Sequence, residues 1–300
     1  MGNFNTMFVS RRLFSSITSG TKYTPQFKQY LKLSDGKLGS FFHDVHLNPL
    51  NTSSKSSQDR SKGLSGNILN MVVEVPRWSN AKFEISKDLP LNPIVQDTKN
   101  TKLRFVNNIF PYHGYVTNYG AIPQTWENPS VNNGDNDPLD CCEIGSGILE
   151  TGTVTPVKVL GSLALLDDGE MDWKVIAINV NDPLCAKINT MKDVETFMPG
   201  LLAGIRTWFK TYKIPTNKPA NEFAFDGEYL SLEKTMSVVQ ECHEEWEGLM
   251  KLSSNVGQTT GHSVTTERFA TYDLHESSLP NLNAREISQT VEFDQKWYYC

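Results

Sequence analysis

Three carboxylates lie close together in residues 134–140, whose sequence is Gly-Asp-Asn-Asp-Pro-Leu-Asp. Side chains two positions apart in an extended backbone point to the same side, so Asp135 and Asp137 can converge, and a bend at Pro138 can bring Asp140 back towards them. Two carboxylates about 5 Å apart repel each other by roughly 3 kcal/mol at an effective dielectric constant of about 20, so a cation is expected between them. Because the donors are hard oxygens without a neighbouring Cys or His, the segment predicts Mg²⁺, Mn²⁺ or Ca²⁺ rather than zinc.

An EF-hand calcium loop that starts at Asp135 is excluded by two positions. Its sixth residue should be Gly and is Asp140, and its twelfth should be Glu and is Ser146. A plain acidic turn that faces solvent stays open as the alternative to a metal site.

A second acidic group lies between two apolar runs that predict strands, and its carboxylates belong to Asp167, Asp168, Glu170 and Asp172. The Asp-Gly pair at 168–169 suits a hairpin turn, which by itself would explain the group. However, Asp172 and Lys174 flank Trp173 at the start of the second strand, so a carboxylate and an ammonium group point the same way. Two acidic groups together predict more than one metal ion.

Basic and phenolic side chains accompany these acids. Alternation around residues 82–85 puts Lys82 and Glu84 on one face of a strand. Glu74 interrupts an apolar run, so it lies either at a strand edge or in a charged cavity, and Arg104 interrupts another such run. Several tyrosines stand beside Gly, Pro or Lys, namely Tyr112, Tyr115, Tyr119 and Tyr212, the last followed by Lys213. Packing or surface exposure could also explain each of these residues singly.

Carboxylates for hard metals, together with Arg, Lys and Tyr donors for phosphate oxygens, are the side chains that metal-assisted phosphoryl transfer requires. The sequence contains neither a GxxxxGK[ST] phosphate loop nor a GxGxxG dinucleotide fingerprint. The substrate therefore need not be a nucleotide.

The acidic segment 134–140 resembles the signature of the family I soluble inorganic pyrophosphatases. Further segments resemble this family in its order along the chain, at residues 71–78, 80–84, 102–106, 113–115, 118–120, 167–174 and 212–215. The resemblance covers about residues 20–250 and the ending Lys296-Trp297-Tyr298-Tyr299, and with its N-terminal segment the chain is most similar to fungal mitochondrial members. Loop 51–66 looks longer than in the family, the connection 126–135 looks shorter, and the Ser/Thr-rich segment before Lys296 has no counterpart.

The resemblance implies a mainly β protein with some α-structure, namely a five-stranded OB-like β-barrel with helices packed outside. It also implies a homodimer that hydrolyses pyrophosphate to two orthophosphates with Mg²⁺. Three or four Mg²⁺ ions per site are implied, with Mn²⁺ as a substitute. An OB architecture alone would have suggested nucleic acid as the ligand, but a fold does not determine its function.

The roles of individual residues follow from the same resemblance. Asp135, Asp140 and Asp172 resemble the ligands of a tight metal, with Asp140 also bridging to a second. Asp167, Asp172 and Glu84 resemble the ligands of metals that arrive with the substrate. Asp137 resembles the general base, Glu74 an outer carboxylate that organises the attacking water, and Tyr115 a member of the hydrogen-bond network. The phosphate-binding set would be Lys82, Arg104, Tyr119, Lys174, Tyr212 and Lys213.

Apolar periodicity predicts the elements that must position these residues. Strands are expected at residues 68–75, 82–85, 103–106, 153–160, 163–166 and 173–180, and helices at 193–197, 201–212 and 229–252. Strands first and helices afterwards favour a barrel or curved sheet within one domain, residues 21–252. The Asn- and Ser-rich residues 51–66 predict an exposed loop, and residues 253–300 an extension that packs on or wraps the domain.

The 300-residue chain has 34 acidic and 28 basic residues and a net charge of -6, which disfavours a broad surface for nucleic acid. No apolar run approaches the roughly 18 residues that a membrane-spanning helix needs. Five cysteines without a CxxC pattern favour a reducing compartment.

The N-terminal segment before Asp35 has no acidic residue and is rich in Ser, Thr, Lys and Arg. This composition predicts a mitochondrial transit peptide over about residues 1–20, removed between Phe14 and Gly20, and a matrix location. A disordered basic tail and N-myristoylation at Gly2 are the alternatives.

Two rival functions and one contact surface complete the hypotheses. A different metal-dependent phosphohydrolase would need a wide basic or aromatic groove for bases, which the sequence does not indicate. A non-enzymatic metal-binding or OB-type interaction module would be marked by loss of Asp137, Arg104 or Lys213, and all three are present. Trp78, His113 and Trp297 are expected at a dimer contact, because aromatic side chains are enriched in the cores of interfaces.

Overall fold

The computed structural model describes residues 14–49, 66–131, 133–255 and 296–300. Most of the predicted transit peptide, nearly all of loop 51–66 and most of the C-terminal extension lie outside these ranges. The strands are β1 (Ser15–Ser19), β2 (Lys28–Lys32), β3 (Leu38–Gly39), β4 (Ile68–Val75), β5 (Phe83–Ile85), β6 (Ile94–Gln96), β7 (Thr98–Lys99), β8 (Lys102–Leu103), β9 (Asn108–Ile109), β10 (Asn118–Ala121), β11 (Asp140–Glu143), β12 (Val154–Asp167), β13 (Glu170–Asn179), β14 (Glu222–Phe223) and β15 (Trp297–Tyr298). The helices are α1 (Met191–Phe197), α2 (Leu201–Thr211) and α3 (Leu232–Asn255), with single 3-10 turns at Ile214–Thr216 and Phe225–Gly227.

Five strands close into a ring. β13, β11, β10, β4 and β12 are hydrogen-bonded in that order, and β12 pairs back onto β13. These pairings are antiparallel, except that β11 and β13 run parallel. The mainly β, five-stranded OB-like fold that the sequence predicted is therefore confirmed, with β14 added beside β12.

The ring closes because β12 is long and bends. Its first part pairs with β4, and most of its length pairs with β13, with a register shift between Val159 and Gly161. The sequence predicted two strands here, 153–160 and 163–166. The structure has one strand, because Gly161 and Ser162 stay paired with β13 after the register shift that follows Val159, so the ladder contains a bulge and not a turn.

The ring strands are buried on both faces, as β4 illustrates. Met71 and Val73 belong to one apolar cluster, together with Val239 of α3. Val72 belongs to a second cluster, which includes Trp208 of α2. Alternate residues of the same strand thus anchor α3 and α2 against the sheet, which explains the nearly continuous apolar run at residues 68–75.

A second sheet forms another wall near the ring. Its strand order is β1-β2-β6-β5, with β3 beside β2. β1 pairs with β2 along all five of its residues, so Ser15–Ser19 belong to the folded sheet. Cleavage just after Phe14 would leave this strand whole, whereas cleavage at Gly20 would remove it.

Several element boundaries differ from the predictions. Helix α1 begins at Met191 because the Thr190 side chain accepts a hydrogen bond from the Asp193 backbone N–H, which forms a capping box. The predicted strand 103–106 is reduced to Lys102–Leu103, with one further bridge between Phe105 and Ala81. Among the described residues, the longest helix is too polar to cross a membrane.

Candidate active site

A cavity of about 520 Å³ opens where the ring, strand β5 and the end of α2 meet. Every residue that the sequence analysis assigned to catalysis, phosphate binding or metal binding lines this cavity. The residues come from separate parts of the chain, so their convergence supports the predicted grouping. The fold brings together Glu74, Lys82, Glu84, Arg104, Tyr115, Tyr119, Asp135, Asp137, Asp140, Asp167, Asp172, Lys174, Tyr212 and Lys213.

The acidic loop is held by backbone contacts to the chain just after β10. The Glu127 N–H donates to the Asp137 carbonyl at 2.9 Å, and the Asn136 N–H donates to the Glu127 carbonyl at 2.9 Å. The Asp135 carboxylate accepts the Asp137 N–H at 2.9 Å, which fixes the turn between them. A Cβ atom at Gly134 would lie 2.5 Å from the Glu127 carbonyl carbon, so this close approach requires glycine.

Lys174 is the charged centre of the cavity floor, with only 2% of its surface exposed. The parallel register of β11 and β13 sets Asp140 beside Lys174, and Asp172 shares the face of Lys174 two residues earlier. The Lys174 ammonium donates to both carboxylates and lies 3.2 Å from the Tyr119 hydroxyl, which itself donates to Asp140. Burial alone would lower the pKa of Lys174, but Asp140 and Asp172 outweigh it and raise that pKa well above its ordinary value.

The buried carboxylates have pKa values displaced towards the protonated form. Burial, together with the charges of Asp137 and Asp140, raises the pKa of Asp135 to about 7. Burial is also the main cause that raises the pKa of Asp172 and of Glu127 well above the ordinary range. When they are ionised, these groups place several negative charges in a poorly hydrated space. A divalent cation would stabilise the ionised forms there.

Three carboxylate oxygens, one each from Glu127, Asp135 and Asp172, lie within 4.8 Å of one another. Hard oxygen donors at this spacing fit Mg²⁺ or another hard divalent ion. The donor set of the cavity thus agrees with a metal-dependent family.

Two further cations of the cavity lining, Lys82 and Arg104, are held by a carboxylate. Asp97 Oδ2 accepts from Arg104 Nη1 at 2.7 Å and from Lys82 Nζ at 3.3 Å. Lys82 also lies 2.9 Å from Glu84, its neighbour on the same face, as the alternation predicted. Burial raises the pKa of Glu84, and the charge of Lys82 partly opposes this.

The sequence left two positions open for Glu74, a strand edge or a charged cavity. In the structure its side chain points into the charged cavity. It is 5% exposed, and its Oε1 accepts the Ile85 N–H at 2.7 Å. Burial and the nearby charge of Asp140 raise its pKa well above the usual range. Glu74 therefore connects β4 to β5 at the cavity edge.

Aromatic side chains support the wall between β10 and α2. The ring centroids of Tyr115 and Trp208 are 5.0 Å apart, and those of Trp208 and Tyr212 are 4.9 Å apart. Burial raises the pKa of Tyr115 to about 12 and that of Tyr212 further, so both phenols stay protonated and can donate. Beyond α2, the Lys213 ammonium pairs with Asp167 of β12.

The sequence analysis missed several charged residues of the site. Glu127 and Asp97 carry no signal from periodicity, because each lies in a connection between strands. Lys87 pairs with Asp137 at 2.6 Å, a contact that no local spacing indicates. Three further lysines line the cavity, namely Lys99, Lys102 and Lys218.

Comparison with known proteins decides the family. A model of the family described as inorganic pyrophosphatase matches residues 71–247. The chain belongs to the inorganic pyrophosphatase family. The predicted reaction is therefore confirmed as that of this hydrolase family, the Mg²⁺-dependent hydrolysis of pyrophosphate to two orthophosphates.

Individual relatives are similar over nearly the whole chain. The chain is 51% identical over 300 residues to a mitochondrial inorganic pyrophosphatase of Saccharomyces cerevisiae, with 97% of this chain and 90% of that protein covered. An inorganic pyrophosphatase of Yarrowia lipolytica is 48% identical over 297 residues, with 95% and 97% covered. Inorganic pyrophosphatases are thus its relatives along the chain and not in one segment alone.

Solved structures of inorganic pyrophosphatases have the same fold. The structure of the enzyme from Schistosoma japonicum superposes with a TM-score of 0.82 at 40% identity, covering 95% of this chain and 100% of that one. A truncated vacuolar soluble pyrophosphatase of Trypanosoma cruzi in complex with PPi gives a TM-score of 0.71 at 37% identity, covering 84% and 99%.

Proposed function

We propose that the cavity binds pyrophosphate together with three or four Mg²⁺ ions. Its carboxylates hold the metal ions, and its Arg and Lys side chains bind phosphate. Asp135, Asp140 and Asp172 would hold the tight metal, and Asp140 would also serve a second. Glu84 and Asp167, with Asp172, hold the ions that arrive with the substrate. The observation that carries this proposal is the composition of the lining: several carboxylates and several Arg and Lys side chains line one cavity.

The ion pairs of the cavity suggest how the phosphate donors become available. Lys174 pairs with Asp140 and Asp172, and Lys213 pairs with Asp167. Carboxylates that hold a divalent ion no longer need these ammonium groups as partners. Lys174 and Lys213 can then donate to phosphate oxygens, beside the phenols of Tyr119 and Tyr212.

Mg²⁺, when bound, screens the charge of pyrophosphate and lowers the pKa of a coordinated water. Asp137 accepts the proton of the attacking water at a carboxylate oxygen. This side chain is 43% exposed and faces the cavity, so water can reach it, and Lys87 holds its orientation. Glu74 and Tyr115 orient the water and its neighbours by hydrogen bonds. Arg104 and Lys82 donate to the leaving phosphate, where negative charge accumulates.

Phosphate release from pyrophosphate tests this proposal. Rapid release with Mg²⁺, none with excess chelator, and little release from ATP are expected. Asp137→Asn should lower kcat by at least about 100-fold, because a general base contributes roughly 10²–10⁴-fold. Asp35→Asn, at an exposed Asp that is not among the residues lining the cavity, is the matched control and should keep full activity. A folded chain that binds Mg²⁺ but releases no phosphate would refute the proposed roles.

A homodimer is proposed from the aromatic surface around the last described residues. β15 pairs with β9 in parallel and brings Trp297 to His113, with ring centroids 5.8 Å apart. Trp78 is 56% exposed and accepts a hydrogen bond at its carbonyl from the His113 ring, at 2.9 Å. Phe110 is also 61% exposed beside Trp297. Exposed aromatic groups of this kind favour a second copy as their partner.

Analytical ultracentrifugation tests the homodimer. The native chain should sediment as a dimer at micromolar concentration, and Trp78→Ser should shift it to the monomer. Phe197→Ser, which removes an exposed aromatic ring elsewhere, should leave the dimer intact. A native chain that sediments as a monomer would contradict the proposal.

A mitochondrial matrix location is proposed from the basic N-terminal segment and the similarity to a mitochondrial relative. A fusion of residues 1–34 to a fluorescent reporter should enter mitochondria, and replacement of Arg11 and Arg12 by Glu should prevent this. A Gly2→Ala fusion should still be imported, because myristoylation would not be required. A reporter that stays in the cytosol would refute the location.

A further inference from the structure

Glu127 is a buried carboxylate for which the proposed mechanism has no role. It follows β10 in the chain and is 3% exposed. Its Oε1 accepts the Trp173 N–H at 3.1 Å, whereas its Oε2 is buried without a hydrogen-bond partner among the described residues. A buried carboxylate oxygen without a hydrogen-bond partner lowers the stability of the folded state, so its presence indicates a further role for Glu127.

The position of Glu127 indicates what that role is. One of its carboxylate oxygens lies within 4.8 Å of oxygens from both Asp135 and Asp172. Its backbone also holds the acidic loop through the hydrogen bonds to Asn136 and Asp137. The same residue therefore places the loop that carries Asp135 and turns a carboxylate oxygen towards the space between the two Asp side chains.

A purely structural role does not require a charged side chain here. The Trp173 N–H needs a single acceptor oxygen, which a Gln amide would supply equally well. Nor is Glu127 the partner of a cation, because no salt bridge joins it to a Lys or Arg of the described chain. A third carboxylate beside two others destabilises the metal-free protein, and a bound divalent cation offsets that effect.

We propose that Glu127 is a positioning residue of the metal site held by Asp135 and Asp172, with Oε2 turned to the divalent ion or to a water in its coordination shell. This inference rests on the proposed metal assignment of Asp135 and Asp172. Groups that orient and polarise a metal's ligands typically contribute 10- to 100-fold to affinity. Glu127 raises the affinity of the tight site and acts on hydrolysis through it.

Calorimetric titration of the full chain with Mn²⁺, without pyrophosphate, tests the proposal. Glu127→Gln keeps the acceptor for Trp173 and removes the charge, so it should weaken the tight site about 10- to 100-fold. Its melting temperature in chelator should not fall, and the increase produced by Mn²⁺ should shrink. A merely structural residue would show the reverse, a lower metal-free melting temperature with unchanged affinity. Glu241→Gln, an exposed α3 residue beside the small pocket behind Glu127, is the matched control and should bind as the native chain does.

Asp135→Asn, titrated in parallel, separates this inference from the proposed function. Weak binding in Asp135→Asn with native affinity in Glu127→Gln would overturn the role of Glu127 alone. Native affinity in both variants would overturn the metal assignment as well. Should Glu127→Gln fail to fold, Glu127→Asp serves instead, since it keeps the charge but withdraws it by one methylene. It should bind Mn²⁺ several-fold more weakly, and native affinity there would refute the inference.

Discussion

Lys174 and Asp140 stand beside each other in the parallel register of β13 and β11, and the ammonium group donates to that carboxylate at an almost fully buried position. Both residues belong to the strand pairing that closes the ring, and both line the cavity. A change in either partner is therefore expected to affect both stability and the phosphate binding proposed for Lys174.

Lys174→Met should destabilise the metal-free chain by about 3–5 kcal/mol, because it leaves Asp140 and Asp172 buried together without a counter-ion. Mg²⁺ should restore part of this loss, since the ion supplies positive charge at the same carboxylates. Thermal unfolding in chelator and in Mg²⁺ measures both effects. Lys37→Met breaks an exposed pair with Asp35 and should change the free energy of unfolding by less than about 1 kcal/mol. Equal losses in the two variants would contradict this account.

The metal-free chain should lose stability as pH rises from about 5 to 8. Burial and neighbouring charge raise the pKa of Asp135 in the folded chain to about 7, above its ordinary value of 3.8. The folded state therefore binds this proton more tightly than the unfolded state, and the associated stability disappears as pH passes through about 7. Denaturant unfolding in chelator measures the slope. Asp135→Asn should flatten it, and an increase in stability over this range would refute the prediction.

Mg²⁺ should oppose that trend, because the ion binds the ionised carboxylates. Its affinity should increase as pH rises through about 7, where Asp135 loses its proton. Calorimetric titration at pH 6 and pH 8 compares the two dissociation constants. Equal values in the native chain would mean that Asp135 is not a ligand.

Gly120→Ala should disrupt the site through the backbone. A Cβ atom there would lie 2.0 Å from the Val72 carbonyl oxygen, so β10 must move away from β4 and take Tyr119 with it. A loss of about 3 kcal/mol and a marked fall in kcat/KM are expected. Gly147→Ala is the control, because its Cβ would meet no atom within 4 Å. Similar unfolding curves for the two variants would show that β10 can shift away from β4 without a loss of stability.

Asp97→Asn should weaken substrate binding without touching a metal ligand. Asp97 holds both Arg104 and Lys82 in place, and its amide would retain one acceptor but no charge. We expect KM to rise and kcat/KM to fall about tenfold, since hydrogen bonds between charged groups are about twice as strong as neutral ones. Steady-state kinetics beside Asp88→Asn, an exposed carboxylate, provide the comparison. An unchanged KM would show that the two cations need no such support.

Local spacing could predict much of the site. The alternation of Lys82 with Glu84 and of Asp172 with Lys174 follows from strand geometry, and the acidic loop is evident from its density of carboxylates. Glu127 and Asp97 could not be found in this way, because no local alternation links either residue to its partners, which lie 7 to 46 positions away. Their roles depend on which strands become neighbours.

The same limit applies to the fold. β13, α2 and α3 follow from apolar periodicity, and so does β12 apart from the break that was predicted within it. In contrast, β10 and β11 are four residues each and carry polar or Gly residues. β11 begins at Asp140, in a segment that the sequence analysis treated as an acidic bend. Ring closure therefore depends on two strands whose pairing only tertiary contacts can establish.

During folding, the site forms only when β11 has paired with its neighbouring strands. Its parallel pairing with β13 joins residues more than thirty positions apart, and its other edge pairs with β10. A chain in which β11 has not yet docked has the acidic loop but lacks the register that sets Asp140 beside Lys174. Metal ions therefore bind chiefly to molecules that have completed the barrel, and by mass action they retain those molecules in the native state. Where Mg²⁺ is abundant, the ion would thus favour completion of the ring in a newly made chain.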